Sequence, residues 1–182
     1  MRTAREMFDF AIKNRFGHDH LILRNGIQHF KIIESQLNRD DVVELTFLGK
    51  YKRENGEKLG LCAGAIAGSK IILGQKNYPH GERTKQLDLN KVENILKHIW
   101  YLYGEVVFQF QDISFSITMD SDEAKRTHVA ILNYIDKLRK DSKQKSNFDG
   151  ISDEIIKYKK LAEQGHITWG DFEAKKKKLL GI

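Results

Sequence analysis

The chain has 182 residues, 40% hydrophobic and 10% aromatic, enough for one ordinary domain plus a small appendage. Its net charge of +6 divides into +4 over residues 1–140 and +2 over the remainder, too even an excess for a dedicated nucleic-acid binder. One cysteine, Cys62, excludes a disulfide framework and any multi-cysteine zinc site, and its apolar surroundings mark it as a small core residue.

The first residues lack the apolar stretch of a signal peptide, and no apolar run reaches the ~18 residues of a membrane span, so a cytoplasmic location is expected. Thr3 and Glu6 form a capping-box pair that predicts a helix over Thr3 to Phe16. Ala4, Met7, Phe8, Ala11 and Ile12 share one face of it, and Gly17 ends it. That stripe reads as core, with a membrane-surface face as the alternative. After the Asn25-Gly26 turn signal, a second helix is predicted from Ile27 to Leu37, with Ile27, Phe30, Ile33 and Leu37 facing inward.

From Asp41 the period changes to two. Val43, Leu45, Phe47 and Gly49 alternate with Glu44, Thr46, Leu48 and Lys50, a half-buried strand that extends toward Lys52. Asn55-Gly56 predicts a hairpin turn, with Leu59 to Ala67 as the returning strand. Ile71 to Leu73 and Arg83 to Leu89 are two further strands, separated by a turn over Asn77 to Gly81. Val92 to Tyr103 fits either helix or strand, and Gly104 then turns the chain. Val106 to Phe110 and Ile113 to Met119 form a hairpin around Gln111-Asp112.

Asp120 or Ser121 caps a helix over Glu123 to Lys140, with Val129, Leu132, Ile135, Asp136 and Leu138 toward the core and Ala124 and His128 extending that side toward the N-terminus. Residues Asp141 to Asn147 carry no large aliphatic residue and read as a flexible linker. Beyond them, Ile151, Ile155, Tyr158 and Leu161 recur at helical spacing and Gly165 ends that helix. Thr168 and Asp171 start another, continued by Phe172, Leu179 and Leu180, with Lys175 to Lys178 placed where the helix dipole favours cations. A hairpin of this size, below ~40 residues, buries little by itself, so its apolar stripe predicts docking.

The pattern Leu161-x-x-x-Gly165-x-Ile167-Thr168-x-x-x-Phe172-x-x-Lys175-Lys176-x-x-Leu179-Leu180 resembles the SHOCT module, a short C-terminal domain of bacterial and phage proteins. The resemblance implies oligomerisation or partner docking through Ile151, Ile155, Tyr158, Leu161, Ile167, Phe172, Leu179 and Leu180. Ahead of it, six or seven short antiparallel strands followed by one helix resemble the bacterial PH-like proteins of the YokE type. The carriers are Phe47 to Tyr51, Ala67 to Leu73, and Arg83 to Leu89. This implies an α+β protein: a PH-like bent antiparallel β-barrel with a C-terminal capping helix, N-terminal helices and a two-helix tail. The expected division is 1–24 for the amphipathic helix and connector, 25–140 for the PH-like domain, 141–149 for the linker and 150–182 for the SHOCT domain.

No motif points to catalysis. His18-Asp19-His20 has no obvious third ligand nearby and reads as a solvated loop. Gly64 to Lys70 superficially looks like a phosphate loop, but the glycines are four apart and Ser69 precedes Lys70. Lys50, Lys52, Arg53 and Lys58 flank the first hairpin and are a possible anion site, although Glu54 and Glu57 share the loop. The expectation is a non-enzymatic adaptor or regulator with no cofactor, metal or small-molecule substrate, whose partner is protein, its own copy or another. The alternatives are an anionic membrane surface met through the first hairpin, and nucleic acid in a regulator of a mobile element.

Overall fold

In the computed structural model, residues 1–17, 20–77 and 81–181 are described, with their side chains except at 20–24, 77 and 143–149. The chain divides into two compact units, Met1–Ile135 and Asp136–Ile182, each taken by itself below. The His18-Asp19-His20 group and the Tyr78 to His80 part of the third expected turn lie outside the described side chains.

The first unit is α+β. Its elements are α1 (Ala4–Lys13), α2 (His20–Glu34), β1 (Val43–Arg53), β2 (Lys58–Ala67), β3 (Lys70–Asn77), β4 (Gly81–Asp88), β5 (Val92–Ile99), β6 (Tyr103–Phe110), β7 (Ile113–Asp120) and the start of α3 (Ser121–Glu163). The seven strands form one antiparallel sheet in the order β4-β3-β2-β1-β7-β6-β5, with β4 and β5 as its edges. The segment that fits both helix and strand is therefore strand, followed by a turn at residues 100–102.

One face of the sheet carries the N-terminal helices. Met7 and Ala11 of α1 and Phe30 and Ile33 of α2 share a core with Leu48, Ala63, Ala65, Ala67 and Ile72. Alanines on alternate residues of β2 keep that surface low, so two helices can approach it closely. Met7 and Ala11 are fully buried, which assigns the stripe of α1 to the core. Buried Thr46 Oγ1 donates to the Met7 carbonyl oxygen at 2.7 Å, tying α1 to β1. The Asn25-Gly26 pair, expected as a turn, lies inside α2. Its glycine serves packing: a Cβ at Gly26 would sit 2.8 Å from the Phe8 ring. The α2 helix thus begins earlier and ends earlier than the expected Ile27 to Leu37.

The other face is aromatic. Phe108 and Phe115 stack at 4.9 Å and 9°, and Phe47 joins Phe108 at 6.1 Å. Lys85 of β4 lies over the Phe115 ring of β7 at 5.7 Å, although four strand spacings, roughly 19 Å in a flat sheet, separate them. The sheet is therefore curled onto this face, though its edges β4 and β5 do not pair. Gly64 belongs to this packing: its missing side chain is the space filled by the Phe47 ring. Gly68 has φ +56° in the β2–β3 turn. These two roles account for the glycines that superficially look like a phosphate loop. Ala124, Thr127, Ile131 and Ile135 of α3 are buried, whereas Val129 and Leu132, expected toward the core, are exposed; Gly104 leaves room for Ala124, whose Cβ would be 2.7 Å from an added one. Tyr134 Oη sits between the Glu44 carboxylate (2.5 Å) and the Gly68 carbonyl oxygen (3.0 Å).

The second unit pairs the C-terminal part of α3 with α4 (Trp169–Leu180). Residues 141–149, expected as a linker, are helical within the 43-residue α3. Polar composition does not forbid helix there, because Lys, Gln and Asp carry no proline-like or glycine-like penalty. Gly165, at φ +75°, ends the first helix, and Thr168 with Asp171 forms the expected capping box of the second. Among the described residues, no helix is long and apolar enough to cross a membrane.

Candidate functional site

The four cations expected around the first hairpin divide between two faces, because strand side chains alternate. Lys50 and Lys52 of β1 share the face of Leu48, the one that carries α1 and α2. Together with Lys58 they line an open cleft of about 770 Å³. Arg15, Arg126, Gly60, Tyr103 and Thr118 complete its basic and polar wall. Arg53 lies on the opposite, curled face and pairs with Glu57 at 2.8 Å.

The cleft is mixed in charge. Lys52 reaches Glu105 at 3.3 Å, and Glu105 also accepts from Thr118 Oγ1 at 3.4 Å. Asp120, Asp122 and Glu123 line it as well. Lys125 holds Asp122 at 2.8 Å and keeps its carboxyl below the usual range. Lys50 and Lys58 form no ion pair among the described residues and remain exposed.

Arg15 reaches the cleft by an unusual backbone. It follows the C-cap of α1 with φ +56°, a left-handed conformation normally given to glycine. The Phe16 N–H donates to the Ala11 carbonyl at 2.9 Å and the Leu48 N–H to the Phe16 carbonyl at 2.7 Å, so the residues on either side of this position are fixed.

Beside the cleft stands the β5–β6 turn, which lies at residues 100–102 and not at Gly104, since Gly104 pairs with Ile99 inside the hairpin. Trp100 N–H donates to the Tyr103 carbonyl at 2.8 Å, closing a tight turn with Tyr101 and Leu102 at its tip. Tyr101 is 94% exposed and Leu102 73%. Leu102 and Tyr103 also line the cleft. Residues 100–103 carry none of the usual turn formers, so the nearest signal along the chain was Gly104.

A smaller hollow of about 280 Å³ on the curled face is lined by Arg53, Arg83, Lys85, Tyr51, Gln75 and Cys62 among others. Burial, then the neighbouring Arg53, hold the Lys85 ammonium below its usual range. Cys62 is buried, and that burial pushes its thiol up to about 12. No group of three or more His, Cys, Asp or Glu that could hold a metal occurs among the described residues.

In the C-terminal unit, Phe172 and Ala162 are buried, while Ile151, Ile155, Tyr158, Leu161, Ile167 and Leu179 are half-buried and Leu180 is exposed. Lys175 joins the two helices: its Nζ lies 3.6 Å from Glu154 and 5.0 Å from the Tyr158 ring centre. Lys176 sits over Phe172 and pairs with Glu173 at 3.3 Å. Compared with known proteins, the chain matches no family model, no curated protein and no solved structure.

Proposed function

We propose that this chain is a non-enzymatic scaffold that self-associates through its C-terminal helical hairpin and presents the curled sheet as a second binding surface. One observation carries the reading. The hairpin fully buries only Ala162 and Phe172 among its described residues, while Ile156, Trp169 and Leu180 stay 50%, 55% and 44% exposed. A helix pair this small gains too little from such burial to hold its own shape, and a second copy supplies the missing surface. The capping box at Thr168 and the turn at Gly165 agree with the likeness to SHOCT modules. The meander strand order, the curl and the helix that follows agree with the likeness to PH-like barrels.

The test is solution mass by light scattering. The full chain is a multimer in this reading. A chain ending at Lys140, and a full-length Ile155→Glu/Leu179→Glu variant, are monomers. A monomeric full chain overturns self-association.

A further inference from the structure

We propose that the β5–β6 turn and the basic cleft beside it form one membrane-docking surface, in which Tyr101 and Leu102 enter the headgroup region of an anionic bilayer while Lys50, Lys58, Arg15 and Arg126 meet lipid phosphates.

Folding does not account for the turn. A tight hairpin connection favours small or polar residues that tolerate unusual backbone, yet the chain places an aromatic and an aliphatic side chain at the two tip positions. Exposed at 94% and 73%, these two side chains contribute little to the core. Flanking them, Trp100 and Tyr103 stack at 5.0 Å and are each about half exposed. Trp and Tyr are the side chains that partition to the boundary between headgroups and acyl chains, and Leu beside them adds purely apolar area.

Charge selects the kind of membrane. Leu102 and Tyr103 share the cleft wall with Arg15, Lys50, Lys52, Lys58 and Arg126. The acidic groups offset only part of this charge: Asp122 is held by Lys125 and lies within the field of Arg15 and Arg126, Glu105 pairs with Lys52, and Glu123 is only 3% exposed, while Lys50 and Lys58 stay exposed. Asp120 remains at the rim. Arg15 keeps a left-handed backbone that glycine would adopt without strain, which places a cation at the cleft at a cost to folding. Cations around an apolar tip match a surface of anionic headgroups above hydrocarbon.

A single-stranded nucleic acid would also meet cations and rings, but the rings here are partly occupied. Trp100 faces Tyr103 and is met edge-on by His98 at 6.0 Å, which leaves Tyr101 as the exposed ring of a tip it shares with Leu102, too little for a run of stacked bases. The surface thus joins Lys50 and Lys58 of the first hairpin to the β5–β6 turn, and the buried stripe of α1 takes no part in it.

The experiment uses the full chain carrying Trp169→Phe, which leaves Trp100 as the sole tryptophan reporter. It is mixed with vesicles of phosphatidylcholine alone, or of phosphatidylcholine with phosphatidylglycerol, and sedimented. The expected result is binding to the anionic vesicles only, weakened by salt, with Trp100 emission shifted to the blue and quenched by brominated lipid. Tyr101→Ser/Leu102→Ser and, separately, Lys50→Gln/Lys58→Gln each reduce partitioning by about tenfold or more. The exposed positions of all four residues leave the fold intact, which circular dichroism checks. The proposal is overturned by absence of binding to anionic vesicles, by binding indifferent to the tip variant, or by loss in that variant of affinity for a short single-stranded oligonucleotide instead.

Discussion

His29 of α2 accepts a hydrogen bond at its Nδ1 from the Lys76 backbone N–H of β3, 3.0 Å away and almost wholly buried. The bond ties the helix layer to the sheet and gives the imidazole an acceptor role that protonation would end. Burial, and then the Lys76 charge, push this histidine down from 6.5 to about 4.

Acid should therefore loosen the first unit. The unfolded chain takes up a proton at His29 near pH 6.5 and the folded chain only near 4. Between those values the unfolded state holds the extra proton, so stability falls as pH drops through the window, by roughly 3 kcal/mol in all. Urea titrations across that range measure the slope. His29→Asn, whose side-chain oxygen can still accept from Lys76, should flatten it.

Cys62 should be inert in the folded protein. Its thiol is 2% exposed and raised to about 12, so almost no thiolate exists at neutral pH. Iodoacetamide should leave it unmodified for as long as the fold persists and label it fully in denaturant. Rapid native labelling would show that the curled face opens.

Replacing Arg15 should separate strain from charge. Arg15→Gly relieves the φ +56° conformation and should stabilise the chain by about 1 kcal/mol, read from the denaturation midpoint. The same change removes a cation from the cleft wall, so partitioning onto anionic vesicles should fall while stability rises.

Phe115 should be the costliest single truncation of the aromatic face. It stacks on Phe108 at 4.9 Å and on Tyr51 at 5.4 Å, and it lies under Lys85. Phe115→Ala should destabilise by about 3–5 kcal/mol. Tyr134→Phe, which removes only the hydroxyl between Glu44 and Gly68, should cost about 1–2 kcal/mol. Thermal unfolding of the two variants beside the parent orders them.

Local chemistry was legible in the residues. The capping pairs Thr3–Glu6 and Thr168–Asp171 and the helix end at Gly165 each depend on neighbours within a few positions, and each is found as expected. The strand from Val43 is present but is not half-buried: Thr46 and Leu48 lie under the N-terminal helices while Phe47 packs on the aromatic face, and a register shift after Val43 breaks the alternation. Where a residue's role is set by a distant partner, reading along the chain went astray. Gly26 looked like a turn because nothing nearby shows that Phe8 needs its space, and residues 141–149 looked irregular because a polar stretch carries no periodic signal. The cleft needed the fold altogether. Arg15, Lys50, Lys58, Leu102 and Arg126 are scattered over more than a hundred positions, and only the β1–β7–β6 pairing and the left-handed turn after α1 bring them to one wall. Alternation along β1 likewise sent Arg53 to the opposite face from Lys50 and Lys52, a separation that follows from the pleat once the strand's register is known.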